Sequence, residues 1–185
     1  MTKDLPSPEM LRKLLRADFN SGKLYWRERT PNMFEDKKWT PEHRCKAWNS
    51  HYAGKEAFTA VSCRNYKKGT LFNKKLFAHR VIWAMHTGKW PTNNIDHING
   101  DPSDNRIENL REATQSQNLA NSRMSVTNTS GYKGVYWHRP TQKWIAAIKR
   151  NSEKHYLGQF TCPKEAHAAY CKAAKELHGE YANGG

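Results

Sequence analysis

The segment between Asp96 and Asn118 constrains the fold of this chain more than any other feature. Its pattern predicts a short strand that ends at His97, a polar loop, and a second short strand over residues 109–113. A capping-box pattern follows, with Thr114 as the N-cap, and predicts that a helix carries Asn118. Two short strands and a helix would bring Asp96, His97 and Asn118 together.

The same segment is acidic in a strongly basic chain. The chain has 31 Lys and Arg residues against 17 Asp and Glu residues, and its formal net charge is +14. Such an excess indicates a polyanionic partner, nucleic acid first and anionic membrane second. Acidic residues oppose phosphate binding unless a cation lies between, and carboxylate and amide oxygens are the ligands that hard divalent cations prefer. This contrast of charge, next to His97, predicts a metal-dependent nuclease.

The chemistry of phosphodiester hydrolysis assigns a role to each polar residue of the segment. Water must lose a proton, and negative charge on the phosphate and the leaving oxygen must be offset. His97 fits the base because the unperturbed pKa of imidazole lies near the operating pH. A cation held by Asp96 and Asn118 would offset the charge, and Asn109 would brace the loop and orient the histidine. Arg111 either contacts the scissile phosphate or has a structural role.

Composition argues against other classes of function. The longest apolar runs, such as residues 81–85, are far too short to span a bilayer, and the first residues lack the apolar core of a signal peptide. We therefore expect an intracellular protein without a membrane partner. Four cysteines without a C-x-x-C pair argue against a structural zinc site and favour reduced thiols.

Composition also divides the chain, and the pattern within each part predicts an α+β fold. The parts are a basic α+β region over residues 1–91, the acidic motif over 92–123, a Ser/Asn/Thr-rich linker over 124–130, and a β-β-β-α region over 131–185. In the first part we predict helices over residues 7–16 and 78–87 and strands over 24–27, 57–62 and 70–77. The last of these is either one strand or a hairpin broken at residues 73–74. In the last part we predict strands over residues 134–137, 143–149 and 155–160 and a helix over 163–178.

The central segment resembles a known family of nucleases. Residues 96–118 read D-H-I-N-G-D-P-x-D-N-R-I-x-N-L-R-x-A-T-x-x-x-N, which is similar to the HNH (ββα-metal) motif of phage homing endonucleases. The resemblance implies that His97 is the general base and that Asn109 is the structural asparagine in the middle of the catalytic motif. It also implies that Asp96 and Asn118 bind one divalent metal ion, Mg²⁺ or Mn²⁺, per active site. The last position is asparagine rather than histidine, as in those phage enzymes.

The C-terminal region resembles the ethylene-response-factor (Apetala-type) DNA-binding domain over residues 130–183, a domain also found on phage HNH nucleases. The resemblance implies that one sheet face enters the major groove while the helix packs on the other face. Alternation agrees, because Trp144, Ala146 and Ile148 would share one face and Ile145, Ala147 and Lys149 the other. The positions that contact DNA in that family correspond here to Lys133, Tyr136, His138, Ala147, Lys149, Lys154 and Tyr156. Several of these are arginine, glutamate or tryptophan in the plant domains, so we expect a different sequence preference.

Together these features predict a phage-type HNH homing endonuclease that hydrolyses double-stranded DNA and needs no small-molecule cofactor. The predicted fold is α+β, with a small central ββα-metal module, an N-terminal α+β extension, and a C-terminal three-stranded antiparallel sheet packed on one helix. One site per chain favours a nicking monomer; a dimer is the alternative. The resemblance to phage enzymes places it in the cytoplasm of a bacterial host.

Two other functions remain open. One is a DNA-binding regulator whose HNH site has decayed. The other is a nuclease that acts on RNA. Duplex DNA is favoured over RNA because the A-form major groove is too narrow to admit a sheet.

Overall fold

The computed structural model describes residues 5–151 and 153–185. The chain divides into two compact units, the first ending at Arg111 and the second running from Glu112 to Gly185. Helices and strands are mixed, and a three-stranded antiparallel sheet followed by a helix occupies the C-terminal part, which confirms the predicted α+β class. Within the described residues, no helix combines the length and the apolar character needed to cross a membrane.

Within its described residues, the first unit mixes short strands with three α-helices. Its helices and strands are, in chain order, α1 (Pro8–Leu14), β1 (Leu15–Asp18), β2 (Lys23–Trp26), α2 (Pro41–Tyr52), β3 (Glu56–Ala57), β4 (Ala60–Val61), β5 (Lys67–Leu71), β6 (Lys74–Phe77), α3 (Ala78–Thr87), β7 (Asn94–His97) and the beginning of β8 (Leu110–Ala113). The bounds of α3 are those predicted, and Gly88 ends this helix in the left-handed conformation. Helix α2 was not predicted from the sequence.

The core of this unit lies between α1, α3 and the sheet that contains β2. Buried side chains of α3, among them Val81, Ile82 and Met85, pack in one cluster with Leu11 of α1 and Leu24 of β2. Each fully buried side chain of this kind contributes roughly 1.5–3 kcal/mol to folding. This cluster supports the elements that precede the acidic motif.

Two small antiparallel sheets, ordered β1-β2-β3 and β4-β5-β6, belong to this unit. The strand predicted over residues 57–62 is wrong as a single element. Phe58 has a φ of 60°, which ends β3, and β4 pairs with β5 in the other sheet. Strands β5 and β6 form the predicted hairpin, and its turn lies at Phe72 and Asn73, both at positive φ, as two-residue hairpins prefer.

The second unit contains the rest of β8 and a compact β-β-β-α arrangement. Its other elements are α4 (Gln115–Asn121), β9 (Val135–His138), β10 (Lys143–Arg150), β11 (Glu153–Phe160) and α5 (Pro163–His178). The central strand of the sheet is β10, which pairs antiparallel with both neighbours. The bounds of α5 are those predicted, and the three strands lie within one or two residues of the predicted ranges.

Small side chains let α5 lie close to the sheet. Ala166 packs with Ala146 of β10 in one buried cluster, and Tyr170 packs with Ile148 in another. Gly134 sits under the Tyr170 ring, where an added Cβ would come within 2.0 Å of a ring carbon. One face of the sheet is therefore covered by α5.

Candidate active site

Asp96 and His97 end strand β7 and are both buried, with 5% and 4% of their surface exposed. Ile95 anchors the strand in the core of the first unit. Strand β8 pairs with β7, and the backbone N–H of Ile98 donates to the carbonyl of Asn109 at 2.9 Å. The paired strands thereby fix the backbone that carries His97, the predicted base, and Asp96, the predicted metal ligand.

A buried asparagine orients the ring of His97. Nε2 of His97 lies 3.1 Å from Oδ1 of Asn105. An amide oxygen only accepts, so in this arrangement Nε2 carries the proton and the lone pair of the neutral ring lies on Nδ1. Burial lowers the pKa of His97, while the Asn105 bond and the nearby Asp96 carboxylate oppose that shift. The ring is therefore neutral near pH 7 and can accept a proton.

Aromatic side chains pack around the same ring. The rings of Tyr66 and His79 lie 5.8 Å and 5.2 Å from that of His97, measured between centroids. Burial lowers the pKa of His79 to about 3, and the charge of His97 adds to the shift. Nδ1 of His79 has no hydrogen-bond partner among the residues that the structure describes. His79 is thus a neutral ring that packs against His97.

The turn between β1 and β2 holds Asn105 in place. Only 1% of its surface is exposed, and its backbone lies against Gly22 in the turn between β1 and β2. The N–H of Ile107 donates to the carbonyl of Phe19 at 3.0 Å, which ties the loop to the same turn. No role for Asn105 follows from the sequence, because an asparagine in a polar loop gives no sign of burial.

Asn109 braces the loop rather than the histidine. Its Nδ2 donates to Oδ1 of Asn99 at 3.1 Å and to the carbonyl of Asp104 at 2.8 Å. Its Oδ1 accepts from the N–H of Asn99 at 3.0 Å. The bracing role expected from the sequence agrees with these bonds. The expected contact with the histidine comes from Asn105 instead, because the Asn109 side chain points into the loop.

The acidic residues of the loop are engaged in its own turns. Oδ1 of Asp101 accepts from the N–H and hydroxyl of Ser103 at 2.9 Å and 2.7 Å. Asp104 pairs with Arg106 at 2.9 Å, and this contact lowers the pKa of the Asp104 carboxyl to about 2. These carboxylates shape the loop between Asp96 and Asn109.

The carboxylate of Asp96 is paired with Arg111. Nε and Nη2 of Arg111 lie 3.0 Å and 2.9 Å from Oδ2 of Asp96, and both side chains are largely buried. The structure thus supports the structural alternative for Arg111, because its guanidinium is directed at a buried carboxylate instead of an exposed surface.

The donor chemistry fits a hard divalent cation. Asp96 offers carboxylate oxygen and Asn118 amide oxygen, the types that Mg²⁺ and Mn²⁺ prefer. Arg111 already offsets part of the Asp96 charge. Among the described residues, no group of three or more His, Cys, Asp or Glu side chains is arranged to hold a metal ion. A site built on one carboxylate and one amide would not form such a group.

Asn118 lies in α4, within the second unit. The predicted capping box is confirmed, because the Thr114 hydroxyl accepts from the N–H of Gln117 and the Thr114 N–H donates to Gln117 Oε1 at 2.8 Å. The backbone N–H of Asn118 donates to the carbonyl of Thr114 at 2.9 Å in the first helical turn. That Asn118 shares a metal ion with Asp96 stays a prediction.

The sheet face opposite α5 carries exposed basic and aromatic side chains. Register pairs Ala147 with Tyr156 and Lys149 with Lys154, so these side chains share one face. The Lys154 ammonium donates to the Tyr136 hydroxyl at 3.1 Å and lies 4.7 Å from the centre of its ring. Tyr156 is 60% exposed. The predicted alternation is confirmed, since Ala146 and Ile148 pack beneath α5.

Lys133 and His138 have local partners. His138 Nδ1 lies 2.8 Å from the hydroxyl of Thr141 at the end of β9. The Lys133 ammonium donates to the carbonyls of Ala120 and Asn183, each at 2.9 Å, and also to the carbonyl of Ser122. Carbonyl oxygens of the second unit thus take up the donors of Lys133, and the DNA contact predicted for this lysine stays a prediction.

Comparison with known proteins gives two family matches along the chain. Residues 76–120 match the model of the HNH endonuclease family, and residues 130–180 match the AP2 domain. An uncharacterised HNH endonuclease, L560 of Acanthamoeba polyphaga mimivirus, is 30% identical over 110 residues, 58% of this chain and 56% of the relative. Protein 3.8 of Escherichia phage T7 is 30% identical over 120 residues, 64% of this chain and 96% of the relative. The chain belongs to the HNH endonuclease family.

Both matches coincide with the sites described above. The HNH match begins in β6 and ends in α4, so it includes Asp96, His97, Asn109 and Asn118. The AP2 domain match includes β9, β10, β11 and α5, and therefore the exposed face with Tyr136, Lys149, Lys154 and Tyr156. The HNH endonuclease family thus accounts for the acidic motif, and the AP2 domain for the basic face.

Proposed function

We propose that this protein is a divalent-metal-dependent DNA endonuclease that nicks one strand per binding event. The AP2 domain selects the site on double-stranded DNA, and the motif over residues 92–123 hydrolyses the phosphodiester. Residues 124–130 connect the two. A monomer is the acting species, and a homing role for a phage genome accords with the family resemblance.

His97 carries the chemistry in this proposal. The bond from Nε2 to Asn105 leaves the lone pair on Nδ1, and burial keeps the ring neutral, so Nδ1 accepts the proton of the attacking water. Asp96 and Asn118 would hold the metal ion. A divalent cation bound there offsets negative charge on the phosphate and the leaving oxygen. Arg111 keeps the Asp96 carboxylate oriented through its two bonds to Oδ2.

One observation supports catalysis above the rest. His97 is buried at the end of a strand, and its hydrogen-bond partner is also buried and is supported by a tight turn. Any buried imidazole N–H needs an acceptor, but this acceptor also fixes the tautomer that leaves the lone pair on Nδ1. A base that must present one particular nitrogen needs such an acceptor.

The decisive test is nicking of supercoiled plasmid that carries a site selected by the protein from a random duplex pool. With Mg²⁺ or Mn²⁺ we expect open-circular product from wild type, none with EDTA, and a rate lower by at least about a hundredfold for His97→Ala. His51→Ala removes an exposed histidine of the same unit and should nick like wild type. Equal rates for His97→Ala and wild type would refute the catalytic assignment.

A non-catalytic DNA-binding regulator is the second candidate, and the Asp96–Arg111 pair favours it. A predicted metal ligand that is already neutralised by a guanidinium resembles a site that has lost its ion. Selected DNA that is bound tightly but never nicked, with any divalent cation tried, would establish this alternative. Under the endonuclease proposal, bound DNA and divalent cation together yield product.

A further inference from the structure

Lys133 follows the predicted linker and precedes the first strand of the AP2 sheet. Its ammonium donates to the carbonyls of Ala120, Ser122 and Asn183 at 2.9, 2.5 and 2.9 Å. An ammonium has three N–H donors, and each has an acceptor here. The first two carbonyls lie at the C-terminal end of α4, where helix carbonyls lack partners and favour a cation.

Other bonds attach α4 and its flanks to the AP2 domain from different directions. The N–H of Asn151, just after β10, donates to the hydroxyl of Ser116 at 3.1 Å. Nδ2 of Asn183 donates to the carbonyl of Asn121, and the Tyr181 hydroxyl donates to the carbonyl of Glu112, each at 2.9 Å. A seven-residue helix is too short to be stable alone. These contacts therefore determine whether α4 is formed.

The surroundings of Lys133 distinguish it from a lysine that contacts phosphate. Burial lowers the pKa of its ammonium. Lys149 and Lys154, in contrast, are exposed on the sheet face. Binding of phosphate by Lys133 would have to break its bonds to carbonyl oxygens.

We propose that Lys133 is a positioning residue that holds α4, and with it Asn118, to the DNA-reading sheet. Asn118, the predicted metal ligand, then lies at a fixed distance from the base pairs that the sheet contacts. The cut therefore falls at a fixed distance from those base pairs. This inference rests on the proposed endonuclease function. In this proposal Lys133 determines where the DNA is cut and does not contribute to DNA affinity.

Substitutions at Lys133 separate the two roles. Lys133→Met removes the three donors and keeps the aliphatic stem. Lys133→Arg keeps the charge, but its planar guanidinium cannot direct bonds to three carbonyls arranged around a point. A positioning role therefore predicts that both variants are defective. A phosphate contact predicts that Lys133→Arg behaves like wild type. Lys164→Met and Lys164→Arg are the matched controls, on an exposed lysine of α5 in the same domain.

Hydrogen exchange of residues 115–121 in the free protein measures the attachment of α4 directly. We expect both Lys133 variants to lose protection by at least about tenfold, the effect of losing one hydrogen bond to a charged group. The Lys164 variants should exchange like wild type. Unchanged protection in Lys133→Met would overturn the proposal. This readout needs no cleavage, so it remains decisive if the protein proves not to be a nuclease.

Binding and cleavage of a selected duplex complete the experiment. We expect the Lys133 variants to keep the wild-type salt slope of log affinity, and to spread cuts over neighbouring phosphodiesters or slow cutting at the main position by at least about tenfold. A slope reduced by about 0.9 in Lys133→Met and restored in Lys133→Arg would identify a phosphate contact and overturn the proposal. If Lys133→Met fails to fold, Asn183→Leu removes the bond to Asn121 and must give the same spread and loss of protection.

Discussion

In the proposed mechanism, Asn105 controls the chemistry through His97 without touching the substrate. It supplies the acceptor for Nε2 of His97 and is itself buried. Replacing it with leucine keeps the volume and removes the acceptor, so the ring can rotate or carry its proton on Nδ1. We expect Asn105→Leu to lower the nicking rate about 10–100-fold, the usual effect of removing a group that orients a functional histidine. Steady-state nicking and DNA affinity, measured together, check this.

A double-mutant cycle identifies the route of that effect. If Asn105 acts through His97, Asn105→Leu should cost little further activity in a His97→Ala background. Additive losses would mean that Asn105 serves the loop alone. Circular dichroism of each variant controls for unfolding, because a leucine there leaves the imidazole N–H without its acceptor.

His79 predicts how stability depends on pH. Its pKa is about 3 in the folded state, against an ordinary value of 6.5. Below pH 6.5 the unfolded chain binds a proton that the folded protein does not, so the contribution of His79 is fully present above that pH and is lost as the pH falls. Between pH 7 and 5 the loss is about 2 kcal/mol. Urea denaturation should give a flatter pH profile for His79→Phe than for wild type, by that amount.

The matched control is an exposed histidine of the same unit. His51→Gln removes an exposed ring of the same unit, and its denaturation is measured beside that of His79→Phe. A His79→Phe profile as steep as that of wild type would mean that the histidine is protonated in the folded protein.

The turn between β1 and β2 contacts the loop that carries Asn105, the hydrogen-bond partner of His97. Gly22 has a φ of +66°, and an added Cβ would come within 2.3 Å of the Asn105 carbonyl carbon. Gly54 has a φ of +76° with nothing within 4 Å of the same position. Gly54→Ala should therefore cost about 1 kcal/mol for its conformation alone. Gly22→Ala should cost about 2–3 kcal/mol and also slow nicking, because the Asn105 loop must move. Denaturation curves and nicking rates for the pair check this.

The same elements indicate what could be predicted from the sequence. Helices α3 and α5 were predicted with their observed bounds, because each has an apolar face and ends at a glycine. Helix α2 was missed because Cys45 is its only buried residue. Polar and cation–π contacts hold it instead: Asn49 bonds to the backbone of Arg29, and the guanidinium of Arg29 lies 3.8 Å from the centre of the Trp48 ring. Such contacts leave no periodic pattern in a sequence.

In the candidate site, too, some features could be predicted from the sequence and others could not. Spacing places Asp96 and His97 at the end of a strand and Asn118 on a helix, and the structure agrees with both placements. The catalytic and metal-binding roles of these residues stay predictions. Spacing shows neither the bond from Asn105 to His97 nor the carbonyl acceptors of Lys133, because both depend on which atoms meet after folding. A lysine before a strand has the same one-dimensional pattern whether its ammonium faces phosphate or helix carbonyls.

At the scale of the whole molecule, part of the excess positive charge lies on one exposed face of the C-terminal sheet. The AP2 sheet face presents Lys149 and Lys154 beside Tyr136 and Tyr156, all exposed. Lysines neutralise phosphate, and aromatic rings add contact area without fixing a sequence. In the proposed function this face supplies affinity and the buried residues around His97 supply chemistry, so we expect changes in one to spare the other.

The double variant Lys149→Met/Lys154→Met tests this division. If each lysine neutralises one phosphate, the magnitude of the slope of log affinity against log salt concentration should fall by about 1.8. Binding at low salt should be weaker than that of wild type. Lys164→Met/Lys172→Met removes the same charge from exposed positions on α5, the side of the domain away from this face, and should keep the wild-type slope. Fluorescence anisotropy with a selected duplex over a range of salt concentrations measures both. Equal slopes for the two double variants would mean that the sheet face is not the surface that binds DNA.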